Sequence, residues 1–433
     1  MFCSGGTDDR IASLGADEPS LLAFAPRHDG IHTDEESNLR LIVASSRCPF
    51  RAKDGVLLNV ECFGPLYKGG DEGDTTGDAD ASQNKGDTVY HHSAHRRSMH
   101  NSDEWPLFLY VHGICESAET WGVQTLAEQC AKHCWRLIVL ELAGHGLSGD
   151  VGSGSNRILG GVGSVVGRGR ATCPDFDELV HHVSEFTVRM RSAFSQSKGM
   201  VLSGGSLGGT LVAYAAKGVL SACDESNIEH CANDQDQRKM PQSQRKYPDF
   251  YGIALFAPAL GIHPGALPPS PVVVALRALS YLLPSHGILT PIEHPTYACP
   301  PSSTRNFSGR WPLSTSSMLL DLTSHRVPND VEEDKMQNQM QGLPSLFVIV
   351  GEKDEIVPVS SVEKWFESVT DLSSDKGEKT MVVLKGAGHG FFHERSRGSR
   401  KRLHEKNVFV ESLFEWLNDR ASKDFLDNFC IVK

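Results

Sequence analysis

Six short apolar runs, each ending in turn residues, recur along this chain: PLFLYVHG from Pro106, RLIVLELAGHG from Arg136, MVLSGGSLGG from Met200, YGIALFAPAL from Tyr251, SLFVIVG from Ser345 and TMVVLKG from Thr380. A strand that is apolar on both faces belongs in a sheet covered on both sides, which is how parallel sheets occur. Helical spacing fills the gaps in AETWGVQTLAEQCAKHC and TLVAYAAKGVL, and NVFVESLFEWLNDR closes the series. The alternation specifies an α/β fold with a mostly parallel central sheet flanked by helices.

Around this frame, the 433 residues divide unevenly. Residues 1–36 are polar, punctuated by Gly, Pro and Asp, and read as a disordered tail before a single domain over 37–420; residues 421–433 read as a second tail. LRLIVA from Leu39 and DGVLLNVECFG from Asp54 read as two strands joined at an Asp54-Gly55 turn. Three segments are too polar or glycine-rich to form a core and read as surface insertions: 68–104, expected to be disordered, a Gly-rich loop at 150–170, and a polar loop at 223–247. A fourth, 261–343, is a connection of a length that usually serves function, and it is expected to be a lid.

Composition excludes several classes of function. A formal net charge of −12 disfavours nucleic acid and anionic lipid as general partners. Eleven cysteines, an odd and scattered number, point to a reducing, cytoplasmic setting rather than a disulfide framework. Cys130 and Cys134, one turn apart, read as helix packing. No basic start followed by an apolar run opens the chain, so no secretory signal is expected. The apolar stretch from Val272 to Leu283 spans about 12 residues against the roughly 20 that cross a bilayer. His91, His92, His95 and His100 have the chemistry of a metal cluster but sit in low-complexity sequence, and Gly161, Gly163 and Gly167 lack the strand-to-helix setting of a dinucleotide loop. Neither a metal nor a cofactor is expected.

The chemistry is carried by Gly204-Gly205-Ser206-Leu207-Gly208, a G-x-S-x-G pattern between an apolar strand and a helix. Small residues on either side let the chain turn sharply and lift the Ser206 hydroxyl above the sheet. A hydroxyl is a poor nucleophile at neutral pH and needs a base oriented by an acid. In this arrangement the order along the chain is Ser, acid, His. Asp354 follows the SLFVIVG strand and His389 follows TMVVLKG, so both stand at strand ends beside Ser206; Glu352 and Glu355 are alternative acids and His393 an alternative base. The oxyanion of an acyl-transfer intermediate calls for two backbone donors. The N–H groups of Leu207 and of Ile114, after the His112-Gly113 turn, are placed for this; His112 reads as structural, and Cys115 is either a reagent-sensitive thiol or an inert buried one.

The motifs DGVLL, YVHGICESAETW, ELAGHGLSGD, GGSLGG, LFAPAL, VGEKDEIVP and GAGHGFF, in that order over about residues 39 to 420, resemble the monoacylglycerol lipase and lysophospholipase branch of the α/β-hydrolases, often labelled serine aminopeptidase-like. The resemblance implies an α/β-hydrolase fold with an inserted lid. It also implies that Ser206, His389 and Asp354 form a catalytic triad, with Ile114 and Leu207 as the oxyanion hole. PPSPVVVALRALSYLLPSHGILTP resembles the lid, with Val272, Val273, Leu276, Leu279, Leu282 and Leu283 either meeting a membrane surface transiently or packing on the domain. Glu141 stands where the branch has Asp, and Gly205 replaces a larger neighbour of the nucleophile. The activity implied is hydrolysis of a monoacylglycerol or lysophospholipid. Hydrolysis of small esters, acyl transfer to another alcohol, a peptidase, and a noncatalytic receptor on the same fold are the alternatives.

Overall fold

The computed structural model describes residues 25–26, 43–47, 49–65, 104–149, 171, 173, 175–228, 248–263, 265, 267–283, 286–289, 310–322, 340, 342–370, 372, 378–391 and 400–421. Its strands are β1 (Ala25–Pro26), β2 (Val43–Arg47), β3 (Phe50–Arg51), β4 (Leu57–Leu58), β5 (Val60–Pro65), β6 (Leu107–Val111), β7 (Arg136–Leu140), β8 (Gly199–Gly205), β9 (Asp249–Phe256), β10 (Gly287–Leu289), β11 (Arg310–Pro312), β12 (Ser345–Gly351) and β13 (Glu378–Leu384). The helices are α1 (Trp121–Lys132), α2 (Phe176–Ala193), α3 (Leu207–Ile228), α4 (Ser270–Leu282), α5 (Leu313–Asp321), α6 (Val359–Ser368) and α7 (Arg400–Arg420).

Nine of these strands form one sheet in the order β1-β2-β5-β7-β6-β8-β9-β12-β13. From β7 to β13 all pairings are parallel, while β1, β2 and β5 join antiparallel at one edge. The alternation of side chains along a strand explains why the parallel runs are apolar throughout: Leu107, Leu109 and Val111 of β6 enter one core, while Phe108 and Tyr110 enter the other. The first core is covered by α2, α3 and α6, the second by α1 and α7. In α1, Val123, Leu126, Ala127 and Cys130 recur at helical spacing and are buried against the sheet.

Chain direction along the sheet reverses at β6, which lies between β7 and β8. Open α/β sheets bind ligands at such a reversal, beyond the carboxyl ends of the strands. His112 and Ser206 follow the last residues of β6 and β8 there.

Several sequence expectations change. The 1–36 tail contributes Ala25–Pro26, which pair with Ser46 and Arg47 at the sheet edge. Backbone pairing of two residues needs no apolar pattern, and an edge tolerates Pro. Asp54-Gly55 does turn the chain, but between the short strands β3 and β4; the long antiparallel ladder joins β2 to β5. α3 continues to Ile228, into the 223–247 segment expected to be a loop, because SACDESNI holds no Gly or Pro to stop a helix. The rest of that segment, the 150–170 loop, nearly all of the 68–104 insertion with its histidines, and residues 422–433 lie outside the described residues. Within 261–343 the described residues include α4, the antiparallel pair β10–β11 and α5. α2 and α6 were not anticipated from the apolar pattern at all. α2 buries Phe176, Leu179, Val183, Phe186 and Met190 at spacings of three and four, interrupted by polar His181 and Glu185, and starts at Asp175, whose side chain caps Asp177 N–H.

Candidate active site

β8 ends at Gly205 and α3 begins at Leu207, so the chain passes from strand to helix through Ser206 alone. Ser206 takes φ +50°, a left-handed conformation that an L-residue adopts only when its surroundings enforce it. Its N–H donates to the Phe256 carbonyl at 2.8 Å, and its carbonyl accepts from Ala259 at 3.1 Å. The flanking glycines are set by close backbone approach. A Cβ on Gly204 would lie 2.4 Å from the Gly208 carbonyl oxygen, and one on Gly208 would lie 2.2 Å from that of Val111.

The structure brings Ser206, His389 and Asp354 together from three loops. His389 Nε2 is 2.9 Å from Ser206 Oγ, and His389 Nδ1 is 2.7 Å from Asp354 Oδ2. The remaining oxygen, Asp354 Oδ1, accepts the N–H groups of Ile356 at 2.9 Å and Val357 at 2.8 Å, which fixes the carboxylate. The Asp354 side chain is 1% exposed and that of His389 is 20% exposed, so the acid is dry and the imidazole reaches the surface. Two backbone bonds hold the loops in register: Glu352 N–H to Leu384 and Lys353 N–H to Ala387. The alternative acid Glu352 accepts Gly386 N–H at 2.8 Å, bracing the loop that carries His389. Glu355 is exposed, and His393 lies outside the described residues.

Opposite Ser206 is the turn after β6. A Cβ on Gly113 would lie 3.0 Å from Glu116 Oε1 and 3.1 Å from Ser206 Cβ, tighter than ordinary contact, so a side chain there would have to push its neighbours aside. Leu207 N–H belongs to the first turn of α3, where no intrahelical carbonyl is available to it. Ile114 follows Gly113 in this turn, and Leu207 directly follows Ser206.

The turn and the loop beside it are held by three side chains, of which sequence reasoning gave only His112 a structural role. Glu116 Oε2 accepts Gly113 N–H at 3.0 Å. The fully buried His112 donates from Nδ1 to the Gly113 carbonyl at 2.7 Å and accepts Leu142 N–H on Nε2 at 3.1 Å, tying β6 to the loop after β7. Glu141, also fully buried, accepts Ala118 N–H, Leu147 N–H and the Asn59 amide. Three donors satisfy a charge that burial would otherwise make costly. Neighbouring His145 is driven down to about 3 by burial and by the nearby His112, so it is neutral. Glu116 was detectable only as a carboxylate three residues beyond the turn glycine. Cys115 takes φ +66°, and its Sγ accepts the indole N–H of Trp311 at 2.8 Å. Burial pushes its thiol well above the usual range, which corresponds to the inert reading of this cysteine. Among the described residues no group of three or more His, Cys, Asp or Glu is placed to hold a metal ion.

A sequence model of the alpha/beta hydrolase family matches residues 108–399. The chain belongs to that family. No curated protein sequence matches it. Among solved structures, a soluble variant of monoglyceride lipase from Saccharomyces cerevisiae, in complex with a substrate analog, is 13% identical with a TM-score of 0.52, covering 87% of this chain and 95% of that one. DcsB in complex with its substrate analogue is 12% identical with a TM-score of 0.50, covering 87% and 99%. The monoacylglycerol lipase of Paleococcus ferrophilus is 16% identical with a TM-score of 0.45, covering 72% and 94%. At such identities the likeness concerns the α/β-hydrolase fold. In this member of the family, the serine, the imidazole and the buried carboxylate stand at the carboxyl ends of β8, β13 and β12.

Proposed function

We propose that this chain hydrolyses carboxylic esters through an acyl-enzyme on Ser206, and that its substrates are monoacylglycerols or lysophospholipids. The observation that carries the reading is the hydrogen-bonded line from Ser206 Oγ through His389 to Asp354. His389 Nε2 takes the hydroxyl proton as Oγ attacks the ester carbonyl. Asp354, held by two backbone N–H groups, keeps Nδ1 protonated and stabilises the imidazolium. The N–H groups of Ile114 and Leu207 receive the oxyanion. His389 then protonates the departing alcohol, and a water deprotonated by the same nitrogen releases the acid.

The lipid class is supported by α4. It buries no residue, and Val274, Tyr281, Leu282 and Leu283 are exposed at 67%, 87%, 75% and 51%. An apolar helix in this setting suits a cytoplasmic enzyme that touches a membrane surface transiently to take up an acyl chain. No described helix is long and apolar enough to cross a membrane. Of the apolar face expected from sequence, Val272, Leu279, Leu282 and Leu283 are exposed, while Val273 and Leu276 are half-buried.

The test is labelling with a fluorophosphonate alongside fatty-acid release from a monoacylglycerol in vesicles, comparing wild type with Ser206→Ala. Labelling and release that both vanish in the variant support the reading. Labelling without release moves the substrate to another ester or to acyl transfer. A folded protein that does not label overturns the hydrolase and favours a binding role.

A further inference from the structure

Cys115 immediately follows Ile114, the residue assigned one oxyanion donor, and it is one of five non-glycine residues among those described with positive φ. An L-residue in that conformation is strained and persists only where the surroundings over-determine it. The turn's own backbone bond, Glu116 N–H to the Gly113 carbonyl, is long at 3.4 Å. His112 and Glu116 secure Gly113 from behind. At Cys115 the side-chain bond comes from far along the chain: the Trp311 indole N–H reaches Sγ at 2.8 Å.

Trp311 is itself well fixed. It is the central residue of β11, paired with Ile288 of β10, and is 7% exposed. Its ring packs with Ala171 against Ile114 and Cys115. Four residues on, Thr315 donates to the Ala171 carbonyl at 2.7 Å and accepts Cys173 N–H at 2.8 Å, so the inserted segment is bonded both to the turn and to residues 171 and 173.

From this we infer that Trp311 is a positioning residue for the reaction: its N–H holds Cys115 in the left-handed conformation that points the Ile114 N–H at the oxyanion. The segment inserted between β9 and β12 thereby helps to shape the reacting site. The inference rests on the serine-hydrolase reading above. Its mechanism is geometric. A donor displaced by a fraction of an ångström loses most of its value in the transition state and little in the ground state, so the effect falls on kcat.

The test uses the full chain with a soluble p-nitrophenyl ester and a trifluoromethyl ketone, whose adduct with Ser206 places an oxyanion in the hole. Trp311→Phe keeps the ring and removes the N–H. It is expected to lower kcat about tenfold with KM within about twofold, and to weaken the ketone by the same factor as kcat. Cys115→Ala is expected to do the same, and the double variant to be no worse than either single one, since both remove one contact. A purely structural role for Trp311 would lower the melting temperature without this matched loss. Equal kcat in Trp311→Phe and wild type, or losses that multiply in the double variant, overturn the inference while leaving the hydrolase intact. A wild type that neither hydrolyses the ester nor is labelled by a fluorophosphonate overturns both.

Discussion

Gly146 sits directly on the carboxylate of Glu141: a Cβ at position 146 would lie 2.2 Å from both Cδ and Oε1 of that side chain. Gly146 also has φ +52°. The glycine therefore lets the loop after β7 close over a buried charge whose three donors come from β5's approach, the turn after β6 and the loop itself. Gly146→Ala is expected to destabilise the fold by about 3 kcal/mol, combining backbone strain with displacement of the carboxylate. Urea denaturation checks this, and an unchanged midpoint would mean that the loop yields without loss.

Ser206 offers the opposite case, a residue kept in a strained conformation that its chemistry requires. Glycine adopts φ +50° freely, whereas alanine carries the same penalty as serine. Ser206→Gly is expected to be more stable than Ser206→Ala by about 1 kcal/mol, with both inactive. Thermal melts of the two variants decide it.

Stability should depend on pH through His145. Its folded-state value of about 3 lies below the ordinary 6.5, so between the two the unfolded chain binds a proton that the folded chain refuses. Stability is full above the ordinary value and is lost as pH falls toward the folded one. The expected loss between pH 7.5 and pH 5 is about 2 kcal/mol. Guanidinium midpoints at the two pH values should converge in His145→Gln by that amount; an unchanged pH slope would exclude His145 as the source.

Two acids stand near His389 and only one touches it. Asp354→Asn leaves the shape and removes the orienting charge, and kcat is expected to fall about 10⁴-fold. Glu352→Gln keeps an oxygen able to accept Gly386 N–H and should cost less than about tenfold, with the loss traceable to loop stability. Steady-state ester hydrolysis by the two variants separates orienting acid from brace, and the reverse ranking would reassign the acid.

The strands β6, β7, β8, β9 and β12 were legible because burial on both faces leaves an apolar run, and β13, half-buried at the sheet edge, was legible from its TMVVL segment. Ser206, Asp354 and His389 were legible because each follows such a run within a few residues, and strand ends on one side of a parallel sheet converge. α2 was not, since His181, His182 and Glu185 interrupt its apolar spacing, and His182 is buried through a bond to Asp54, 128 positions earlier. The antiparallel edge was half legible: the Asp54-Gly55 turn marks itself, but which strands it joins depends on ladders set elsewhere.

What the sequence determined by itself is therefore the layered sheet and the order of a serine, an acid and a histidine along it, because both follow from local pattern and the direction of the chain. Only the tertiary structure decided which carboxylate meets His389, that Glu116 and Glu141 brace the turns beside Ser206, and that Trp311 reaches Cys115 across 196 positions. Contacts of that kind depend on where folded loops approach one another, and no spacing within either segment encodes the meeting.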